Sequence, residues 1–133
     1  MAIKSIVYNQ IGKRKTAVAS VFLVEGTGKI SINKKKIEKF FFHLPEECER
    51  VKNIFALVSI LGKYDAEIYV NGGGFSAQAD AIRLAIAKSI GKINTNYRLI
   101  LSQALLLFCD SRVKERRKYG LKKARKAPQY SKR

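Results

Sequence analysis

Three runs of residues carry the chemistry this sequence offers, and in each the chemistry is the binding of phosphate. Gly72-Gly73-Gly74 stands just before a helix-forming stretch. Glycines let backbone amides approach an anion, and a helix N-terminus favours negative charge. No Gly-Lys-Ser/Thr follows at Walker spacing, and the run is not GxGxxG. Its residues leave open a tight turn that needs positive φ, a turn whose amides meet an RNA phosphate, or a nucleotide-handling enzyme site. Asp80, one turn into the helix, reads as a cap or a solvent-facing group.

The second run is Gly12-Lys13-Arg14-Lys15-Thr16, in which three adjacent cations precede an apolar strand. On a free protein they would form a solvated turn. Beside a polyanion they become phosphate contacts, each releasing a counterion. The third run is the C-terminal end. Residues 112–133 hold 11 basic residues and one acid, Glu115, a net +10. Tyr119 and Tyr130 are interleaved with the cations and can stack on bases or riboses. A membrane-binding tail would need a face of large apolar groups, which this one lacks.

Other chemistry is poorly served. The lone His43 lies between Phe42 and Leu44 and reads as a packed side chain. Cys48 and Cys109 form no CxxC, so neither a zinc site nor a cofactor is expected. No paired carboxylates or Ser/His/Asp set can be assembled, and no enzyme or small-molecule substrate is expected.

The elements that must position these runs follow from patterning. The chain has 133 residues, 47% of them hydrophobic, enough for one domain with a core. Its net charge is +17, and so basic a small chain repels itself unless it lies against a polyanion. No run of 18 apolar residues exists to span a bilayer, and a membrane partner is not expected. Residues 1–4 show no hydrophobic or Arg/Ser-rich leader, so the chain is expected to work where it is made or after removal of a presequence.

Residues 1–111, at net +7, read as a globular α+β body and 112–133 as a tail. Ile3 to Tyr8 is an expected strand. Ala17 to Val24 is another, its apolar run suggesting burial on both faces. A turn at Glu25–Gly28 and alternation over Lys29–Ile32 suggest the second arm of a hairpin, followed by a basic loop at Asn33–Lys36. Pro45-Glu46-Glu47 opens a helix that Gly62-Lys63 breaks. Ala66–Val70 is a strand. Ala79, Ile82, Ile86 and Ile90 mark a helix over Ser76–Ile90, with Gly91 as its end. A further helix starts near Asn94-Thr95-Asn96 and carries Leu99 through Leu106.

The tail has too little apolar surface to offset its ordering entropy and is expected to be disordered when free. Its spacing permits a short helix from Arg112 to about Tyr119, interrupted by Gly120, and Pro128 favours an extended end. At roughly 3.3–3.6 Å per residue, the last dozen residues reach about 40 Å.

Three blocks in order carry a family resemblance. Residues 114–133, Lys-Glu-Arg-Arg-Lys-Tyr-Gly-Leu-Lys-Lys-Ala-Arg-Lys-Ala-Pro-Gln-Tyr-Ser-Lys-Arg, resemble the C-terminal signature of the S-nine family of small-subunit ribosomal proteins, in its bacterial and plastid branch. Residues 12–19 are similar to that family's N-terminal block, and residues 71–83 to its central Gly-rich motif.

The resemblance implies a single mixed sheet with helices packed on it, like domain two of ribosomal protein S-five. It also implies a left-handed βαβ crossover and an extended basic C-terminal tail. The implied partners are small-subunit rRNA of the head (the 3′ major domain), the anticodon stem-loop of peptidyl-site tRNA, and neighbouring head proteins. The implied location is the small subunit of the ribosome in a bacterial cytoplasm or plastid stroma. The residues implied for rRNA are Lys13, Arg14, Lys15 and Thr16; Gly72, Gly73, Gly74, Gln78 and Arg83; and Arg112, Lys114, Arg116, Arg117, Lys118, Tyr119, Lys122, Lys123, Arg125 and Lys126. Ser131, Lys132 and Arg133 are implied for tRNA, and the planar, permanently charged fork of Arg133 suits a phosphate. The chain departs from the family pattern at Leu106–Cys109 where Thr-Arg precedes the Asp, at Ala77 for Gly, Asn71 for His, Lys34–Lys36 for a Gly-containing turn, and Tyr130 for Phe.

Overall fold

The computed structural model describes residues 8–131. Of the expected first strand only Tyr8 falls among them, and Ile3 to Val7 lie outside the described residues, as do Lys132 and Arg133. Strand β1 (Tyr8–Arg14) turns through Lys15 and Thr16 into β2 (Ala17–Glu25), and β3 (Ile30–Ile32) and β4 (Lys35–Lys36) follow. Helices α1 (Ile37–Phe40) and α2 (Pro45–Leu57) precede β5 (Tyr64–Asn71), and α3 (Phe75–Ile93) and α4 (Thr95–Gln103) complete the body. The five strands form one mixed sheet in the order β1-β2-β5-β3-β4.

The hairpin expected between Ala17–Val24 and Lys29–Ile32 does not form. Strand β5 pairs antiparallel with β2 from Val18↔Asn71 to Glu25↔Tyr64, and β3 pairs parallel with the other side of β5. The cause is visible at the turn. The Asp65 carboxylate accepts hydrogen bonds from the amides of Thr27, Gly28 and Lys29 at 2.8–2.9 Å, which directs the chain past β2. Gly26 is required there, since a Cβ would sit 2.2 Å from Asp65 Oδ2.

The expected basic loop is a tight hairpin turn. Asn33 (φ 48°) and Lys34 (φ 67°) are both left-handed, the conformation of a two-residue β-hairpin turn that matches strand twist. The Asn33 side chain accepts from the Val70 amide and donates to the Val70 carbonyl, each at 3.0 Å, extending the β3–β5 ladder.

Strand β2 is buried on one face rather than two. Ala17, Ala19, Val21 and Leu23 are fully buried beneath α3, while Val18 is exposed and Phe22 is half-buried, edge-on to Tyr69. The helices cover one face of the sheet only, so the apolar run there is a half-open strand. Helix α3 crosses β1 and β2 at close range because it presents alanines, and because Gly12 has no side chain. A Cβ at Gly12 would lie 2.2 Å from the Ala81 carbonyl oxygen and 2.6 Å from the Ala85 nitrogen.

Helix α3 runs through Gly91 to Ile93 rather than ending at Gly91. The stop is Asn94, whose side chain accepts from the Asn96 amide and caps α4. Helix α4 ends at Gln103, short of Leu106, and Leu105 turns left-handed (φ 59°) just beyond it.

The short helix expected from Arg112 to about Tyr119 is absent. Helical spacing would stack Arg112 on Arg116 and Lys114 on Lys118, like charges one turn apart. Instead Glu115 pairs with Lys118 and, at 2.9 Å, with Arg125, and a turn closes at Gly120 (φ 81°).

Candidate nucleic-acid interface

The first basic run is part strand and part turn. Gly12, Lys13 and Arg14 belong to β1, where they pair with Ala19, Val18 and Ala17, and Lys15 (φ 52°) begins the turn with Thr16. Packing brings the Gly-rich run against this turn. A Cβ at Gly72 (φ 76°) would meet the Thr16 carbonyl oxygen at 2.5 Å, and one at Gly73 (φ 68°) would meet the Ala17 Cβ at 3.0 Å. Two of the three glycines are therefore needed for close approach within the body. Gly74 has open space where a side chain would be. It also caps α3 without a side-chain hydrogen bond, which leaves the first amides of that helix without a side-chain cap. The Gln78 side chain donates to the Gly72 carbonyl at 3.1 Å and steadies the turn.

Arg14 ties the blocks together. Its guanidinium lies 3.7 Å from Asp80 on α3 and 3.3 Å from Asp110 just before the tail, and it donates to the Arg112 carbonyl at 3.2 Å. Arg83 pairs with Asp80 one helical turn away. Arg112 Nη2 reaches Asp110 at 2.8 Å, and the Arg112 amide donates to the same carboxylate at 3.0 Å. Hydrogen bonds from Arg112, with the charge of Arg14, hold Asp110 well below the usual carboxylate range. Burial lowers the pKa of the Arg83 guanidinium. Asp80 is therefore a counter-ion and not a cap, and Asp110 is a second one. The spacing of Asp80 and Arg83 advertises their pair, but nothing local in the sequence points from Asp110 to Arg14.

The tail contrasts with this knot. Lys114, Arg116, Arg117, Lys122, Lys123 and Lys126 are exposed and form no ion pair among the described residues. Tyr119 and Tyr130 are fully or nearly exposed, with no ring contact among the described residues. Ser131 is exposed. Lys118 and Arg125 are held by Glu115, which they keep ionised below its ordinary range, Lys118 contributing most.

The Ribosomal protein S9/S16 family model matches residues 12–133, from the first glycine of the basic run to the last residue of the tail. The chain belongs to this ribosomal protein family. It is similar to the small ribosomal subunit protein uS9 of Amoebophilus asiaticus (strain 5a2), with 44% identity over 129 residues, 96% of this chain and 98% of that protein.

Members of the S9/S16 family are structural ribosomal proteins, and this chain is not an enzyme. Among the described residues no three of His, Cys, Asp and Glu come together to hold a metal ion. His43 is exposed beside the Phe42 ring rather than packed in the core. Cys48 is buried, which raises its thiol pKa, and Cys109 is exposed with its Sγ 3.8 Å from the Lys13 carbonyl. Among the described residues no helix is long and apolar enough to cross a membrane.

Proposed function

We propose that this chain is a structural constituent of the small ribosomal subunit whose body and tail bind rRNA of the head and whose last residues contact peptidyl-site tRNA. The observation that carries the reading is the set of tail cations between Lys114 and Lys126 that form no ion pair among the described residues, in a chain that belongs to the S9/S16 family. Charge of this density without counter-ions is stable against folded RNA and costly in isolation.

Two sets of residues divide the work. Lys13, Lys15, Thr16 and the Gly74 end of α3 form one phosphate-facing edge of the body. Arg14 and Arg83, already paired with carboxylates, hold that edge in shape and offer RNA their remaining donors. The body is taken as residues 1–111 and the tail as 112–133. In the tail, Lys114, Arg116, Arg117, Lys122, Lys123 and Lys126 neutralise converging strands, and Tyr119 offers a stacking face. Ser131, Lys132 and Arg133 are assigned to the anticodon stem-loop. Neighbouring head proteins are the remaining partners. The β3–β5 connection through α1 and α2 is taken as the family's left-handed crossover, against the general rule for such units. The location follows as the small subunit, in a bacterial cytoplasm or plastid stroma.

Sedimentation tests the reading. The chain travels stoichiometrically with small subunits after a moderate salt wash, whereas a free nucleic-acid chaperone stays at the top of the gradient. Deleting Ser131-Lys132-Arg133 leaves subunit assembly intact and weakens tRNA retention in the peptidyl site. Unchanged retention removes the role assigned to the tail end.

A further inference from the structure

A second notch opens beyond the Arg14 knot, lined by Gln10, Lys88, Gly91, Lys92, Arg98 and Leu107. Its charge balance differs from that of the notch around Arg14, which Lys13, Asp80, Arg83 and Asp110 line. In the Arg14 notch two carboxylates, Asp80 and Asp110, answer the arginines. In the second notch three cations converge, and among the described residues none of them pairs with a carboxylate. Lys88 and Lys92 are four residues apart on one face of α3, where like charges repel. Lys88 is half-buried, with its ammonium 3.5 Å from the Ile11 carbonyl, while Lys92 and Arg98 are exposed. Lys92 in the last turn of α3 also suits the negative end of that helix. That accounts for one cation and not for three.

The floor of the notch is shaped by Gly91. The position that a Cβ would take lies 3.6 Å from Arg98 Cβ, ordinary van der Waals contact, so α4 packs close over α3 here and holds Arg98 beside Lys88 and Lys92 at the notch. Gln10 adds a neutral amide from β1. Three donors of one sign around a concave, acid-free floor suit a phosphodiester.

We propose that Lys88, Lys92 and Arg98 form a phosphate-binding site for an RNA backbone, separate from the two basic runs and the tail. The proposal rests on the ribosomal reading above and extends its contact surface to the α3–α4 groove. It adds three cations with no carboxylate partner among the described residues to the RNA-facing set, beside Arg14 and Arg83, which keep only their remaining donors for RNA.

The test uses the full-length chain and a fragment of small-subunit head rRNA. The double variant Lys92→Gln/Arg98→Gln changes exposed side chains only, and Lys88→Gln is added in a third protein. Each cation removed lowers the slope of log affinity against log salt by about 0.7–0.9. A hydroxyl-radical footprint of the double variant loses a discrete group of protected riboses. An unchanged slope beside a steep wild-type slope overturns the site and leaves the ribosomal reading standing. A uniformly weaker footprint with no lost group means a net-charge effect and also overturns the site. A flat wild-type slope removes both readings.

Discussion

The Arg14 guanidinium lies 3.3 Å from the carboxylate of Asp110, joining the first strand of the sheet to the end of the body just before the tail. The same guanidinium faces Asp80 on α3, so one side chain fixes the strand, the helix and the departure of the tail. The Arg14 side chain is 17% exposed, and its guanidinium also donates to the Arg112 carbonyl at 3.2 Å, so its loss removes a hydrogen bond as well as two ion pairs. Arg14→Ala is expected to lower the unfolding free energy by about 1–2 kcal/mol in urea denaturation. Arg14→Lys restores less than half of that loss, because an ammonium cannot reach both carboxylates and the Arg112 carbonyl with a planar fork.

The glycines separate by what their missing side chains would strike. Gly12→Ala drives a Cβ into the α3 backbone and is expected to cost about 3 kcal/mol or more. Gly74→Ala enters open space at φ −89° and costs about 1 kcal/mol or less, the ordinary penalty of alanine at a helix N-cap. Thermal melts of the two variants check the contrast. Equal melting temperatures would mean that α3 does not cross β1 in contact.

The junction between body and tail is expected to be acid-sensitive. Asp110 has a folded pKa depressed below its ordinary 3.8. A depressed carboxylate contributes stability that is present above the ordinary value and lost as pH falls through the folded one. Protection of the Arg112 amide, which donates to Asp110, therefore holds at pH 4 and above and fades in stronger acid. Hydrogen exchange of that amide reads this directly, and Asp110→Asn removes the acid dependence.

Asp65 gathers the amides of Thr27, Gly28 and Lys29, a charge-assisted set. Asp65→Ala is expected to cost about 1–3 kcal/mol in chemical denaturation and to loosen β3, whose register begins at Ile30↔Ala66. Wild-type stability in this variant would show that the turn holds without the carboxylate.

Periodic features were the legible part of the sequence. The apolar spacing of Ala79, Ile82, Ile86 and Ile90 marks α3, Pro45 marks the start of α2, and Asn94 marks α4. The errors arise where a distant partner overrides a local signal. A Gly-containing turn between Glu25 and Gly28 looks like a hairpin until Asp65, far along the chain, takes its amides and β5 inserts between β2 and β3. Gly91 reads as a stop, yet it does not take the left-handed φ of a helix-ending glycine, and α3 continues through it to Ile93. The four-residue helix α1 is too short to carry a period. At the candidate interface the cation-rich runs were legible from composition. Which cations are already neutralised was not, because Arg14, Asp80 and Asp110 meet only through the fold.

On the proposed function, folded small-subunit rRNA is the polyanion this chain's charge requires. The most direct measurement is the affinity of the full-length chain for a head-domain rRNA fragment at 50 and 200 mM salt. With ~6–10 phosphate contacts, the affinity falls ~10³–10⁵-fold between those concentrations. An affinity that stays level across that range means that rRNA phosphate is not what answers this charge.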